Sequence, residues 1–177
     1  MKLNVGGQQT IGRFPGGWTC VDILPGADIL HDISEDPMPI DDGSVDAIYC
    51  SHVLEHIWPW RLLFVLQDFR RVMKRGAPIR IVVPDMDIAL HRFMERKHEA
   101  EALDECMEWW FDPSLDNDGN LCLNHVTGFN YKKLAKALFE AEFRDVQKLE
   151  FQIRKEEFCA CDNPGHAKTS LYVEAVK

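Results

Sequence analysis

Nowhere in these 177 residues does an apolar run reach the roughly 20 residues that a membrane-spanning helix needs. The opening Met1-Lys2-Leu3-Asn4-Val5 runs directly into a strand pattern, without the apolar core of a secretory leader, so cytoplasmic residence is the expectation. Positive charge is also scarce. Twenty Lys and Arg stand against 29 Asp and Glu, a net charge of −9, which makes a nucleic-acid partner unfavourable because phosphate contact needs clustered cations. The six cysteines are scattered through a chain too long to need stapling, so reduced thiols are expected rather than a disulfide framework. Internal repeats and linker-like stretches are missing as well, which points to one domain over residues 1–177.

What the sequence does contain is an alternation of short strand patterns and helical patterns. Lys2–Val5, Trp18–Ile23, Asp28–Ile33, Val45–Cys50 and Pro78–Val83 read as strands, with Val45–Cys50 almost continuously apolar, as in a strand covered on both faces. Trp60–Lys74 places Leu63, Leu66, Phe69, Val72 and Met73 at helical spacing, with Gly76 as its expected C-terminal cap. Met86–Trp110 reads as one long, solvated helix, residues 112–124 as a surface loop, and Asn130–Ala141 as a further helix. Phe143–Phe151 and Thr169–Val176, separated only by a loop, predict a closing antiparallel hairpin. The fold class is therefore α/β: a Rossmann-like, mostly parallel sheet with a C-terminal antiparallel hairpin. Only Gly6 to Gly17 separates the first two strands, and that stretch holds Gly12, Pro15 and Gly16. The first helix is accordingly expected to be short or absent.

Ligands of open parallel sheets sit beyond the carboxyl ends of the strands. Those positions carry Asn4-Val5-Gly6-Gly7, where missing Cβ atoms permit close backbone approach, then Asp22, Asp32, and the titratable block Ser51-His52-Val53-Leu54-Glu55-His56. A carboxylate after the second strand suits ribose hydroxyls, and one after the third suits an adenine amino group; taken singly, either is as well explained as a turn residue.

The ordered set Leu3–Gly7, Gly17-Trp18, Val21-Asp22-Ile23, Asp28-Ile29 and His31-Asp32 resembles class I methyltransferases dependent on S-adenosylmethionine (SAM). Pro39–Tyr49 resembles their loop and fourth strand, and Ser51–His56 is similar to one small, type 11-like subgroup. Arg71–Gly76 resembles the family's R-V-L-K-P-G-G entry to the fifth strand, and Ala141–Val146 its A-G-F step into the sixth. The resemblance implies SAM as cofactor. It implies Asn4, Val5, Gly6 and Gly7 against its methionine and ribose parts, and Asp22 on the ribose hydroxyls with Ile23 against the adenine. It places Asp32 and Ile33 on the adenine's other side, and Ser51 and His52 near the sulfonium. The family's glycine-rich G-x-G-x-G, preceded by an acidic residue, is abbreviated here to Asn4-Val5-Gly6-Gly7-Gln8.

Methyl transfer is an in-line displacement in which the protein positions the partners and removes a proton where the nucleophile needs it. His52 is the first candidate base, with His56 and His125 as the others and Glu55 able to orient a neighbouring imidazole. The aromatic group Trp58, Trp60, Trp109, Trp110 and Phe111 reads mainly as packing, with an acceptor site as the alternative. Cys159, Cys161 and His166, with Cys122 and His125 elsewhere, are metal-ligand types, but the tight Cys-x-Cys spacing without a second pair argues against a metal. The functional expectation is methylation of a small-molecule or glycan acceptor. The alternative is a non-catalytic SAM-binding or regulatory protein on the same fold. A nicotinamide dehydrogenase is disfavoured because the dinucleotide glycine pattern is missing.

Overall fold

The computed structural model describes residues 1–7, 17–111, 124–153, 158 and 161–177, with 108–111 by backbone alone. Its strands are β1 (Lys2–Val5), β2 (Trp18–Asp22), β3 (Ile29–Leu30), β4 (Ala47–Ser51), β5 (Pro78–Pro84), β6 (Arg144–Leu149) and β7 (Ser170–Val176). The helices are α1 (Pro59–Val72), α2 (Met86–Arg96), α3 (Glu101–Phe111) and α4 (Tyr131–Glu140). All seven strands join one sheet in the order β3-β2-β1-β4-β5-β7-β6. The first five pair with one another in parallel, and β7 runs antiparallel to both β5 and β6. Strand order reverses between β1 and β4, so the carboxyl ends of β1, β2 and β4 meet at the switch point where such sheets bind ligands.

The period of two along each strand sorts side chains to two faces. Leu3, Val5, Ile48, Cys50, Ile79, Ile81, Val83, Leu171 and Val173 lie in one core with α1 and α4. The α1 stripe Leu62, Val65, Leu66, Phe69 and Val72 repeats at three and four residues, so one side of the helix is buried. Burying a side chain such as Phe69 contributes about 1.5–3 kcal/mol. Arg71 fastens the preceding loop to α1: it donates to Asp68, to Asp42 and to the carbonyls of Met38 and Ile40.

The second face is closed differently. Ala47, Tyr49, Val82 and Tyr172 pack against Phe158 and Cys161, which lie between the last two strands. The pin for this loop is Arg80, fully buried in β5. Its guanidinium donates through Nε and Nη2 to Asp162 at 2.9 and 2.6 Å, and through Nη1 to Glu174 at 2.9 Å. Tyr172 lies beneath the same cation, 5.0 Å from its ring centroid.

Several boundaries differ from the sequence expectation. The third strand shrinks from 28–33 to Ile29–Leu30, because its flanking aspartates serve turns: Asp28 accepts from Cys20 N, and Asp32 from Ser34 N. The second strand ends at Asp22 rather than Ile23, and the fourth is shifted to Ala47–Ser51, with Val45 bridging to Met73 instead. Gly76 does not cap α1. That helix ends at Val72, and Gly76, at φ +77°, forms the turn before β5. The long helix is two helices, α2 and α3, folded beside each other, with Arg96 at the bend pairing Glu99 and Glu105. The connection expected to replace the first helix, at 8–16, and most of the surface loop, at 112–123, lie outside the described residues.

Candidate active site

The parallel strands bring the sequence-nominated residues to one edge of the sheet. Val5 pairs with Val21 and Cys50, and Asp22 with Leu30, so Gly6, Asp22, His31 and Ser51 follow side by side. The Gly6-Gly7 turn has an internal reason for both glycines. Gly6 has φ +70°, and a Cβ there would lie 2.0 Å from Val53 Cγ2. A Cβ on Gly7 would lie 1.8 Å from the side chain of Asn4, itself buried. Gly6 thus lets β1's exit pass close to the residues after β4, and Gly7 leaves room for the Asn4 side chain.

Asp22 Oδ1 accepts from Leu24 N at 3.0 Å, and Asp32 Oδ1 accepts from both the backbone N and the hydroxyl of Ser34. Each carboxylate therefore shapes its own turn at the sheet edge. Ile23 is exposed, whereas the Ile33 side chain is buried in the main core.

The densest chemistry follows β4. His52 takes a left-handed backbone, φ 56°, which is uncommon for a residue with a Cβ and marks an enforced geometry. That twist directs its ring between two partners: Nε2 lies 3.0 Å from Ser170 Oγ, and Nδ1 lies 3.1 Å from Glu55 Oε1. His166 packs against the same ring, its plane tilted by 44°, at 3.9 Å between centroids. A 3-10 turn, Leu54–His56, then buries Glu55 almost completely. Its contact with His52 is close enough for an ion pair but is not aligned as a hydrogen bond. Burial pushes the Glu55 carboxyl up, but His52 and the charge of His56 outweigh burial and hold it below its ordinary value. The His56 imidazole is also held below its ordinary value: burial lowers it, against the opposing pull of Glu55.

Residues 124–127 complete the cluster. Val126 and Thr127 donate their backbone N–H groups to the Glu55 carbonyl at 2.8 and 3.0 Å, and the Thr127 hydroxyl donates to Ile57 O at 2.6 Å. This sets His125 beside His56, with ring centroids 5.0 Å apart. One ligating atom from each of Glu55, His56 and His125 falls within 4.8 Å of the others.

The three candidate bases are therefore in one neighbourhood. Sequence reasoning missed Ser170, which reaches His52 because β7 pairs with β5 in a register that sets Ser170 opposite Pro84. Of the ligand types around the last loop, Cys161 is in the second-face core and His166 packs against His52, while Cys122 and Cys159 lie outside the described residues. Trp58 and Trp60, expected as packing, are instead exposed and stacked on each other at 4.8 Å, beside the same 3-10 turn. The side chains of Trp109, Trp110 and Phe111 are outside the described set.

A family model described as a methyltransferase domain matches residues 22–81, a third of the chain. No curated protein sequence matches. Among solved structures, a SAM-dependent methyltransferase from Archaeoglobus fulgidus is 17% identical, with a TM-score of 0.60 over 99% of this chain and 85% of that one. A possible histamine N-methyltransferase from Thermotoga maritima is 14% identical, with a TM-score of 0.62 over 99% and 81%. A putative methyltransferase of Haloferax volcanii, solved with the Trm112 activator, is 12% identical, with a TM-score of 0.57 over 99% and 81%.

The architecture is the α/β methyltransferase fold. Residues 22–81 are thus similar to a methyltransferase domain, and the chain shares its fold with solved SAM-dependent methyltransferases. Among the described residues no helix is long and apolar enough to cross a membrane.

Proposed function

We propose that this protein is an active methyltransferase that moves the SAM methyl group to an oxygen or nitrogen of a small-molecule or glycan acceptor. The observation that carries this reading is the His52–Glu55 pair at the exit of β4, beside the switch point of the sheet. Asn4, Val5, Gly6 and Gly7 receive the methionine and ribose parts of SAM. Asp22 accepts from the ribose hydroxyls, Ile23 lies against the adenine, and Asp32 and Ile33 flank the adenine on its other side. Ser51 and His52 stand at the sulfonium end. SAM supplies an electrophilic methyl group, and the protein's own work is alignment and proton removal.

Glu55 beside Nδ1 favours the imidazole tautomer with its proton on that nitrogen, leaving the Nε2 lone pair as proton acceptor. The Ser170 hydroxyl donates to that lone pair, and an acceptor hydroxyl can take its place or pass its proton through it. His56 and His125, on the far side of Glu55, line the acceptor's approach. The exposed Trp58–Trp60 stack provides a flat apolar platform beside this turn, a shape suited to a sugar ring or another planar acceptor.

A second reading, binding or regulation without catalysis, is favoured by the turn-making bonds of Asp22 and Asp32. Calorimetry with S-adenosylhomocysteine separates the two when joined to transfer of labelled methyl to an acceptor panel. Catalysis predicts cofactor binding weakened roughly tenfold or more by Asp22→Ala, the loss of about one charge-assisted hydrogen-bond pair. It also predicts transfer slowed by about 10²–10⁴ in His52→Ala. Absence of heat at millimolar ligand would remove both the catalytic and the SAM-binding readings.

A further inference from the structure

We infer that Glu55, His56 and His125 form a binding site for one late first-row divalent metal ion of the zinc type. Three features of the cluster lead there. The first is its composition: one carboxylate and two imidazoles, with ligating atoms within 4.8 Å of one another. Two nitrogen donors and one oxygen donor suit zinc and its neighbours, whereas magnesium prefers an all-oxygen shell.

The second is the carboxylate. Glu55 is 1% exposed, its Oε1 stands beside His52, and neither of its oxygens has an aligned hydrogen-bond donor among the described residues. A buried carboxylate without such donors is costly unless a cation meets it. His52 can satisfy only the Oε1 side, which leaves Oε2 to a further positive charge.

The third is orientation. His56 Nδ1 lies 3.3 Å from the carbonyl oxygen of Asn124. A carbonyl only accepts, so Nδ1 carries the hydrogen and the Nε2 lone pair is the one offered to a ligand. An outer carbonyl fixing the tautomer of a ligating histidine is a recurrent support of metal sites. The loop bearing His125 is tied to the Glu55 turn by two backbone bonds and by the Thr127 hydroxyl, so the two halves of the site are held together across 70 residues of sequence.

In a tetrahedral zinc shell, ligand atoms stand roughly 3.3–3.5 Å apart. The ligating atoms here stand within 4.8 Å of one another, so binding would draw them together by up to about 1.5 Å. Three protein ligands leave a coordination position open, as in sites that bind an oxygen of a second molecule. That this second molecule is the methyl acceptor rests on the function proposed above; the metal site itself does not.

The test uses the full chain after chelator treatment, titrated with Co²⁺ followed by visible absorption and with Zn²⁺ followed by calorimetry. The expected result is one ion per chain with micromolar or tighter affinity and the intense cobalt bands of a four- or five-coordinate shell. His125→Ala and His56→Ala should each weaken binding by about tenfold or more. His91→Ala, at an exposed His–Glu pair on α2, should leave it unchanged. Glu55→Gln is the stronger perturbation of the buried ligand, and circular dichroism checks that it folds; His125→Ala keeps the test intact if it does not. Binding no tighter than millimolar in the wild type, unchanged affinity in both histidine variants, or Mg²⁺ bound more tightly than Zn²⁺ would each overturn the inference. S-adenosylhomocysteine binding, measured on the metal-free chain, shows separately whether the methyltransferase reading stands.

Discussion

Replacing Arg80 by Met should destabilise the protein more than any surface change. Arg80 has no exposed area, and neither does the Asp162 side chain it holds at 2.6 Å; Glu174, at 2.9 Å, is 5% exposed. Met fills much of the same volume but removes the positive charge, leaving two buried carboxylates facing each other with no cation between them. Breaking a buried pair in this way costs about 3–5 kcal/mol. Against a total stability of about 5–15 kcal/mol, that is a large share. At roughly 2–4 °C per kcal/mol for a chain of this size, the melting temperature should fall by roughly 6–20 °C. Urea and thermal denaturation followed by circular dichroism measure both quantities. The triple variant Arg80→Met, Asp162→Asn, Glu174→Gln removes the orphaned charges and should recover a substantial part of the loss, because a neutral replacement of a buried ionic group is often near neutral in cost. A single variant that loses less than about 1 kcal/mol would show that the charges are solvated or re-paired. A triple variant no better than the single one would show that Arg80 acts by shape and not by charge. Either result refutes the account of how the second face of the sheet is closed.

Gly6→Ala combines a positive φ with a Cβ placed 2.0 Å from Val53, and should cost about 1–3 kcal/mol. Val53→Ala added to it should recover part of that, and a lone Gly6→Ala variant as stable as the wild type would contradict the packing described. Burial first, and the Asp162 charge second, push the Tyr172 phenol up to about 12. Because its folded value lies above the ordinary value near 10, the neutral phenol contributes stability that is complete below about pH 10 and is lost as pH rises through about 12. Denaturation midpoints taken across alkaline pH should show this decline, smaller in Tyr172→Phe; superimposable profiles would count against it.

Most of the sheet was legible because strands buried on both faces write themselves as short apolar runs, as in residues 45–50 and 78–83. The closing hairpin was legible because nothing between the last two patterns could form a crossover helix. The break between α2 and α3 was not. The helical pattern continues through Lys97-His98-Glu99-Ala100, and the bend is held by Arg96 reaching Glu105 across the turn, a pairing that periodicity does not encode. Arg80 was equally hidden, since a cation inside a β-branched run shows no sign of the carboxylates that await it 82 and 94 residues later. In the site, Asp22 and the Ser51–His56 block could be nominated from their positions after strands. The union of His125 with Glu55 and His56, and of His52 with Ser170, could not.

Local pattern was enough to indicate which segments become strands, that all but the closing hairpin pair in parallel, and which edge of the sheet carries titratable side chains. These properties depend on neighbours in the chain and on the alternation of apolar residues, both of which are written in order along it. The folded chain alone settled which imidazole meets which carboxylate, and that the second face of the sheet closes over a buried ionic triad. It also settled that Trp58 and Trp60 face solvent. Those outcomes depend on side chains separated by tens of residues meeting at ångström distances, where burial sets whether a charge must find a partner and strand register sets which partner it finds.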